Sequence, residues 1–401
     1  MRIDRNGSCK ATTQAILSAR HGFHIASGVI GASSNTVFRL KFLDPNPRYM
    51  SFMNPVKKFN VGIVGYGWVA SAHIPAINAS SLAQVTAVCS SRPLDASELS
   101  AKHGGSIQVY RDFDEMLANP DIHVISLCGF PYQHLEQTVK VAKAGKHLII
   151  EKPLALSLKD LRLMQKAVEK AKIKTCVCFE CRYSSQFLTT KDVIDRGVLG
   201  KLHYGEVDYY HGIGPWYAQF RWCKRKDAGG SSLLEAGCHA MDALLLCMDD
   251  DVVEVTSYDT KSSSRIFAPY EYPTTSVSIV KFKNGAVGKC TSSIDCLQPY
   301  YFHTHLVGSK GSLLDNKFQS NPKGTDKAAW TTLDMKMLDS GDVSDHPYTT
   351  QFEAFFKALA KKKTMPLTSL DDAVKSHEAV FAADLSAQLG RPVKISELKK
   401  A

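Results

Sequence analysis

The 401-residue sequence contains no apolar run of the roughly 18 residues that a membrane-spanning helix needs, so we expect no membrane association. It also lacks paired clusters of cysteines. The 11 cysteines are odd in number, scattered and mostly set in apolar runs, which favours buried free thiols in a reducing compartment over disulfides. We therefore expect a cytoplasmic protein without a bound metal ion.

Acidic residues are scarce at the N-terminus. Residues 1–55 hold seven Lys or Arg residues and two Asp residues, which accounts for half of the net charge of +10. The remaining excess is spread thinly, which argues against a nucleic-acid surface. Because Met53 stands just before the first predicted strand, residues 1–55 are either a disordered basic extension or the product of a mis-assigned start codon. Organellar targeting by residues 1–52 is the less favoured alternative.

The length and the hydrophobic pattern predict two domains. Residues 56–180 show nearly continuous apolar strands separated by helices, which predicts a parallel sheet covered on both faces. Residues 181–395 show longer strands with alternating side chains, which predicts an α+β domain with a large, mainly antiparallel open sheet. The overall class is α/β.

Shorter signals refine this second half. Asn284-Gly285 predicts a hairpin turn, since both residues accept positive φ. The polar stretch Asn316–Asp345 is predicted to be a loop. Two amphipathic helices are predicted at Gln351–Lys362 and Ser369–Leu389, and the final helix is expected to pack back on the first domain.

A glycine turn marks the first candidate site. Gly65-Tyr66-Gly67-Trp68-Val69-Ala70 follows a predicted strand and opens a predicted helix within a strand–helix–strand unit. In this context the first glycine makes the turn, the second lets the backbone approach a pyrophosphate, and the helix N-terminus faces the phosphates. We predict that residues 56–180 form a Rossmann domain that binds NAD or NADP through this turn.

The end of the second strand indicates which nicotinamide cofactor binds. The run Cys89-Ser90-Ser91-Arg92 contains no acid, and the first acid is Asp95. NAD enzymes place an acid on the ribose hydroxyls here, whereas a cation accommodates the phosphate of NADP. Ser90, Ser91 and Arg92 therefore favour NADP. NAD stays open, because Arg92 could simply cover the surface beside Pro93.

The run Gly145–Ala155, with Glu151-Lys152-Pro153 at its centre, resembles the signature of the glucose-fructose oxidoreductase, inositol dehydrogenase and rhizopine catabolism (Gfo/Idh/MocA) family. The resemblance covers residues 58–395. It implies a Rossmann domain joined to a C-terminal domain whose open sheet carries the substrate site and often an oligomer interface. A homo-oligomer, either a dimer or a tetramer, is therefore expected.

The resemblance also implies roles for single residues. Lys152 corresponds to the lysine between nicotinamide and substrate, with Glu151 near the cofactor ribose. Cys128, Phe130 and His134 fall in or beside the segment that covers the nicotinamide, although Phe130 stands where proline is frequent.

His239 matches the catalytic histidine of that family. Glu235 precedes it by four residues, so on a helix both would share a face, and the carboxylate would raise the basicity of the imidazole. Glu235 stands where aspartate is usual in the family. The alternative is a core histidine bonded to Glu235 or Asp242.

The region 208–217 occupies the place of the family's substrate contacts. Rings with hydroxyl and imidazole groups suit a sugar, whose faces are apolar and whose edges are polar. A hydrophobic strand followed by a Trp-anchored loop is an equally good interpretation. The candidate substrate residues are Arg182, Tyr210, His211, Trp216 and His239.

The sequence therefore predicts hydride transfer between a nicotinamide cofactor and a secondary hydroxyl of a sugar, glycoside or inositol-type polyol. Lys152 would polarise the oxygen, and His239 would handle its proton. Two alternatives remain: glycoside cleavage primed by oxidation with a retained cofactor, and a non-catalytic regulatory protein that binds NAD(P).

Overall fold

The computed structural model describes residues 58–321, 323 and 330–398. The predictions for residues 1–55 lie outside the described residues. Among the helices described, none is long and apolar enough to cross a membrane.

The first half of the described chain forms a six-stranded parallel sheet in the order β3-β2-β1-β4-β5-β6. The order reverses between β1 and β4, and doubly wound sheets bind ligands at such a point, outside the carboxyl ends of the strands. The strands are β1 Phe59–Val64, β2 Ala83–Cys89, β3 Gln108–Tyr110, β4 Val124–Leu127, β5 His147–Ile150 and β6 Thr175–Val177. The helices are α1 Ala70–Asn78, α2 Ala96–His103, α3 Phe113–Ala118, α4 His134–Lys143 and α5 Leu158–Ala171.

The second half forms a nine-stranded sheet in the order β14-β13-β12-β11-β7-β10-β9-β8-β15. Its strands are β7 Leu202–Tyr210, β8 Val252–Thr260, β9 Thr275–Phe282, β10 Val287–Ser293, β11 Tyr301–Gly308, β12 Gly311–Leu314, β13 Lys317–Ser320, β14 Thr331–Thr332 and β15 Val393–Lys394. Neighbouring strands are antiparallel except β7 and β10, which run parallel. The helices are α6 Ser185–Asp195, α7 Phe220–Cys223, α8 Lys226–Gly229, α9 Cys238–Met248, α10 Tyr348–Ala360, α11 Leu370–Leu389 and α12 Ile395–Leu398.

The predicted α/β class and the two kinds of sheet are confirmed, whereas the domain boundaries at residues 55, 180 and 395 stay predictions. The predicted hairpin at Asn284-Gly285 joins β9 to β10, and Gly285 has a φ of +89°. The prediction that Asn316–Asp345 is all loop was wrong, because β13 and β14 fall within it. These short polar strands extend the sheet at its edge, where strand pairing overrides a weak local signal.

Two helices from the end of the chain connect the halves. Helix α10 packs on α1, and its Phe352, Phe355 and Phe356 are fully buried with Ile63 of β1 and Ile74 of α1. Helix α11 packs against β8 and α9 and also contacts α5. Both α10 and α11 therefore contact helices of the first half of the described chain.

Candidate functional site

The glycine turn after β1 leaves room for a phosphate. Gly65 has a φ of +88°, and a Cβ there would lie 3.1 Å from the carbonyl oxygen of Cys128. A Cβ at Gly67 would meet no atom within 4 Å, so the backbone faces open space. Helix α1 begins at Ala70, and the first turn of a helix leaves N–H groups without intrahelical acceptors. This turn therefore fits a dinucleotide pyrophosphate.

The end of β2 presents a cation beside this turn. The Arg92 guanidinium donates to the carbonyl oxygen of Tyr66, which holds it against the glycine turn. Its backbone N–H donates to the Ser90 hydroxyl over 3.1 Å. Ser90 is buried and Ser91 is exposed. Arg92 and Ser91 are thus the groups that a bound ribose could reach at this strand end.

A second cation lies near the glycine turn, and the first acidic residue after β2 already has a hydrogen-bond partner. The Lys102 ammonium group donates to the Tyr66 hydroxyl over 3.3 Å. Asp95 caps α2 by accepting from the backbone N–H of Glu98 over 2.8 Å, as expected for an N-cap residue. The Asp95 carboxylate is therefore already hydrogen-bonded to the N-terminus of α2.

The segment after β4 combines exposed and buried predicted residues. Phe130 is exposed and stacks on Tyr132, with ring centroids 5.3 Å apart. His134 is buried, and its Nδ1 donates to the carbonyl oxygen of Pro153 over 3.0 Å. Cys128 is buried, with its thiol 3.3 Å from Nδ1 of His73. His134 thus supports the loop that carries Lys152, and Phe130 is the exposed member of the set.

Lys152 follows β5 and connects the two halves of the molecule. Its ammonium group donates to the backbone carbonyl oxygen of Glu235 over 3.0 Å. Burial lowers the pKa of Lys152, but the thiol of Cys238 and the carboxyls of Glu235, Glu151 and Glu180 raise it by more, so the net shift is upward. Lys152 therefore carries a positive charge across the physiological pH range.

Glu151 faces the interior of the first domain. Its Oε1 accepts from the Tyr348 hydroxyl over 2.8 Å and pairs with Nε2 of His73 at 2.9 Å. Burial raises the pKa of Glu151, but the hydrogen bond and charge of His73, followed by the charge of Lys152, lower it to about 2. The Glu151 carboxylate therefore forms a buried ion pair with His73. His73 and Tyr348 are members of the site that were not predicted from the sequence.

The predicted pairing of Glu235 with His239 was wrong. Leu233–Gly237 forms a π-helical turn, so the regular α-helix on which the prediction rested begins only at Cys238. No ion pair or hydrogen bond joins Glu235 to His239 in the described part of the chain. Burial, followed by the charges of Lys152 and His346, lowers the pKa of His239 well below its usual value. The imidazole is therefore neutral.

Glu235 itself lies beside the Lys152 ammonium group. Burial raises the pKa of its carboxyl to about 7, against the opposing charge of Lys152. Its Oε2 is buried and has no hydrogen-bond partner. An unpaired buried oxygen is costly, so it indicates a place where a polar ligand binds.

Glu180 and His346 are further site residues that were not predicted. Glu180 Oε1 lies 3.8 Å from Nε2 of His239 and 3.6 Å from Nε2 of His346. Glu180 follows β6, so the rule that ligands bind beyond the carboxyl ends of parallel strands could have identified it. His346 lies in a stretch without a regular pattern, and no local signal marks it.

His211 is the predicted substrate residue that lies near these groups. Its Nδ1 is 2.8 Å from the Tyr209 hydroxyl, and its Nε2 is buried without a partner. Burial, followed by the charges of Lys152 and His346, lowers the pKa of His211 to about 4. His211 therefore offers a neutral, unpaired imidazole nitrogen whose pKa is lowered by burial and by the charge of Lys152.

Comparison with known proteins agrees with this geometry. The family model described as "Oxidoreductase family, NAD-binding Rossmann fold" matches residues 59–179, and the GFO/IDH/MocA C-terminal domain model matches residues 187–314. The two models together cover more than half of the chain. The chain belongs to the GFO/IDH/MocA oxidoreductase family.

Several relatives cover most of this GFO/IDH/MocA protein. A myo-inositol 2-dehydrogenase of Thermotoga maritima is 24% identical over 339 residues, covering 84% of this chain and 99% of the relative. A 1,5-anhydro-D-fructose reductase of Ensifer adhaerens is 25% identical, covering 70% and 82%. A solved levoglucosan dehydrogenase with NADH and levoglucosan has a TM-score of 0.75 at 22% identity, covering 84% and 100%. That structure shows a shared fold.

Three predicted substrate residues of this family member lie outside the cluster around Lys152. Because strand side chains alternate between faces, Tyr210 points away from Tyr209 and its hydroxyl donates to Asp208. The Arg182 guanidinium is buried and engaged by Asp242. Trp216 donates from Nε1 to the carbonyl oxygen of Gly212 over 2.9 Å, which supports the loop-anchor interpretation.

The same cluster contains groups that can ligate metals. The ligand atoms of Glu180, Cys181 and His239 lie within 4.8 Å of one another. The ammonium group of Lys152 acts on both Glu180 and His239, and its positive charge opposes a second cation there. The group is therefore better suited to binding neutral hydroxyls and moving protons.

Proposed function

We propose that the protein catalyses hydride transfer between NADP or NAD and a secondary hydroxyl or carbonyl of a sugar, glycoside or inositol-type polyol. The observation that carries the proposal is the position of Lys152. Its loop follows a parallel strand at the cofactor edge, and its ammonium group reaches the π-helical turn that precedes His239. The Lys152 cation and the neutral His239 imidazole would thus both serve the nicotinamide end of a bound dinucleotide.

The bound nicotinamide would supply the hydride acceptor or donor. Gly65 and Gly67 would hold the pyrophosphate, and Phe130 would lie over the nicotinamide. Lys152 would hydrogen-bond the reacting oxygen and stabilise negative charge that develops on it. His239, neutral before reaction, would accept the hydroxyl proton during oxidation and return it during reduction.

A polyhydroxylated substrate agrees with the buried polar atoms around Lys152. Glu235 Oε2, Glu180 Oε2, His211 Nε2 and His239 Nδ1 are all buried without partners. Buried polar groups normally have partners, and several hydroxyls on one small molecule would supply them together. The names of the relatives, which include an inositol dehydrogenase and an anhydrosugar reductase, support this substrate class.

We propose NADP as the preferred cofactor. Arg92 and Lys102 place two cations beside the glycine turn, and Asp95 is committed to capping α2. A 2′-phosphate would meet positive charge there, whereas the ribose hydroxyls of NAD would lack their usual acidic partner.

We also propose a homo-oligomer and a cytoplasmic location. The open face of the nine-stranded sheet exposes Tyr258, Val277, Ile279 and Val287, and contiguous exposed apolar residues favour association. All ten cysteines in the described residues are free thiols, as expected in a reducing compartment.

A panel of sugars, inositols and glycosides, followed by nicotinamide absorbance with NADP and with NAD, tests the proposal. His239→Asn and Lys152→Met are each expected to lower kcat by about 100-fold or more, while cofactor binding measured by fluorescence stays intact. Tyr210→Phe, on the opposite face of the sheet, is the matched control. Wild-type rates in both site variants would contradict the assignment, and glycoside cleavage without net cofactor reduction would indicate the oxidation-primed alternative.

A further inference from the structure

Glu180 occupies a position that the hydride-transfer scheme does not use. Its Oε1 lies 3.8 Å from His239 Nε2 and 3.6 Å from His346 Nε2, and its Oε2 is buried without a partner. The side chains of His239 and Glu180 are 5% and 1% exposed, whereas that of His346 is 23% exposed. The three groups therefore connect the buried imidazole to the protein surface.

We propose that Glu180 and His346 carry the substrate proton between His239 and solvent. This proposal rests on the proposed function, because it assigns a route to the proton that His239 accepts. It adds two proton-relay groups that act through His239, one from the end of β6 and one from the segment before α10.

Each step of the oxidation can be balanced. The substrate O–H bond breaks as the hydride leaves the adjacent carbon, and the proton passes to His239 Nδ1, which has no protein partner. His239 Nε2 then releases its proton to the Glu180 carboxylate. Neutral Glu180 passes this proton to Nε2 of His346, which gives it to water. One proton reaches solvent, and all three side chains regain their starting charges. His239 is left as the Nδ1–H tautomer and must return to the Nε2–H tautomer before the next oxidation.

The tautomer of His346 suits this transfer. Its Nδ1 lies 2.8 Å from the carbonyl oxygen of Asp342, so Nδ1 must carry hydrogen and Nε2 is left as the basic nitrogen. Nε2 is the atom that faces Glu180. The orientation of the ring is thus set by the backbone for accepting a proton from this carboxyl group.

The segment that carries His346 is attached to the second half of the molecule. The backbone N–H of Lys336 donates to Ser185 Oγ over 3.1 Å, and that of Leu338 donates to Gln186 Oε1 over 2.9 Å. Gly341 passes so close to His211 that a Cβ there would lie 2.5 Å from its Cε1. These contacts hold His346 over the site.

The acidity of Glu180 fits a group that both takes and releases a proton. Burial and the Glu151 carboxylate raise its pKa to about 8, while the charge of Lys152 opposes the shift. Proton transfer is most efficient when the pKa of the relay group lies near the working pH. The titratable groups that act on or contact Glu180 are Glu151, Lys152, His73, His239, His346, Cys178, Cys181, Cys238, Tyr300 and Tyr348.

The two separations of 3.6 and 3.8 Å are longer than hydrogen bonds. Catalytic contacts are often long in ligand-free structures and shorten when substrate binds, or a water bridges them. Closure by less than about 1 Å would bring each pair within transfer distance.

The decisive comparison uses full-length wild type, Glu180→Gln, Glu180→Asp and His346→Gln, with a substrate identified in the sugar panel. Gln keeps the size of the side chain but cannot carry the proton. We expect Glu180→Gln to lower kcat by about 10-fold or more, to change the pH profile of kcat and to raise its solvent deuterium isotope effect. KM should change little, Glu180→Asp should recover part of kcat, and His346→Gln should show a weaker form of the same pattern.

Asp384→Asn is the matched control, because Asp384 is another buried carboxyl group whose pKa burial raises to about 7. It accepts from Ser231 Oγ over 2.8 Å and should leave the pH profile unchanged. An effect of Glu180→Gln on KM alone, or an unchanged pH profile and isotope effect, would overturn the proposal.

Infrared difference spectroscopy gives a readout that does not need turnover. We expect a protonated carboxyl band that titrates in wild type, disappears in Glu180→Gln and shifts in its titration in His346→Gln. Absence of this band would overturn the relay. Absence of cofactor reduction with every sugar, with the band present, would instead contradict the proposed function.

Discussion

Replacing Asp242 by alanine is expected to destabilise the protein by about 3–5 kcal/mol, because it leaves the Arg182 guanidinium buried without its counter-charge. Arg182 is 7% exposed and Asp242 is 1% exposed. The two side chains form a bidentate pair, with Nε to Oδ2 at 2.6 Å and Nη2 to Oδ1 at 2.7 Å. Such a loss is a large part of the roughly 5–15 kcal/mol by which folded proteins are stable.

The environment of the pair supports the size of this effect. Arg182 Nη1 donates to the carbonyl oxygen of Leu367 over 2.8 Å, so all three guanidinium nitrogens have protein acceptors. The Ser376 hydroxyl donates to Asp242 Oδ1 over 2.6 Å. Both charged groups are buried, so a guanidinium that has lost its counter-charge would be strongly disfavoured in the folded state.

Urea unfolding followed by circular dichroism measures the effect. Glu397→Ala is the control, because it breaks an exposed ion pair with Arg391 and should leave the midpoint unchanged. If Asp242→Ala unfolds at the same urea concentration as this control, the structural role of the pair is refuted. A rise in KM for Asp242→Ala without a loss of stability would indicate that Arg182 binds substrate.

Three further outcomes follow from the site. Arg92→Ala should weaken NADP binding by about tenfold and leave NAD binding unchanged, since only NADP brings a 2′-phosphate to this cation; equal losses would contradict the NADP proposal. His211→Asn should raise KM in the sugar assay, because it removes a buried imidazole nitrogen that has no partner in the protein. The pKa of Glu151 is lowered to about 2, so the stability that this carboxylate contributes is present above pH 4.5 and is lost as the pH falls toward 2. The pKa of His73 is raised to about 10, so the stability that this imidazolium contributes is present below pH 6.5 and is lost as the pH rises through 10. His73→Gln should therefore flatten both flanks of a curve of unfolding free energy against pH.

The sequence predicted the first sheet closely because its signals are local. The strand before Gly65 is a continuous apolar run, and the glycine turn fixes where α1 begins. In the second sheet, alternation located β7 and β9, but it also determined which side chains face the site. Tyr210 was chosen for its chemistry, whereas the period of two that defines β7 places it on the face opposite Tyr209 and His211. Applying that period to the sequence would have assigned Tyr209 and Tyr210 to opposite faces of the sheet.

The acidic partner of His239 was expected on its own helix, and the described structure supplies it from another element. In the π-helical turn at Leu233–Gly237, the backbone carbonyl oxygen of Glu235 accepts a hydrogen bond from Lys152. Glu180, from the carboxyl end of β6, faces His239 instead. A spacing of four residues on a helix permits a contact but does not require one, and π-helical turns often occur at functional sites. The position after a strand end therefore predicts the site residues better than helical spacing does. Lys152 follows β5 and Glu180 follows β6, and the carboxyl ends of these parallel strands lie at one edge of the sheet.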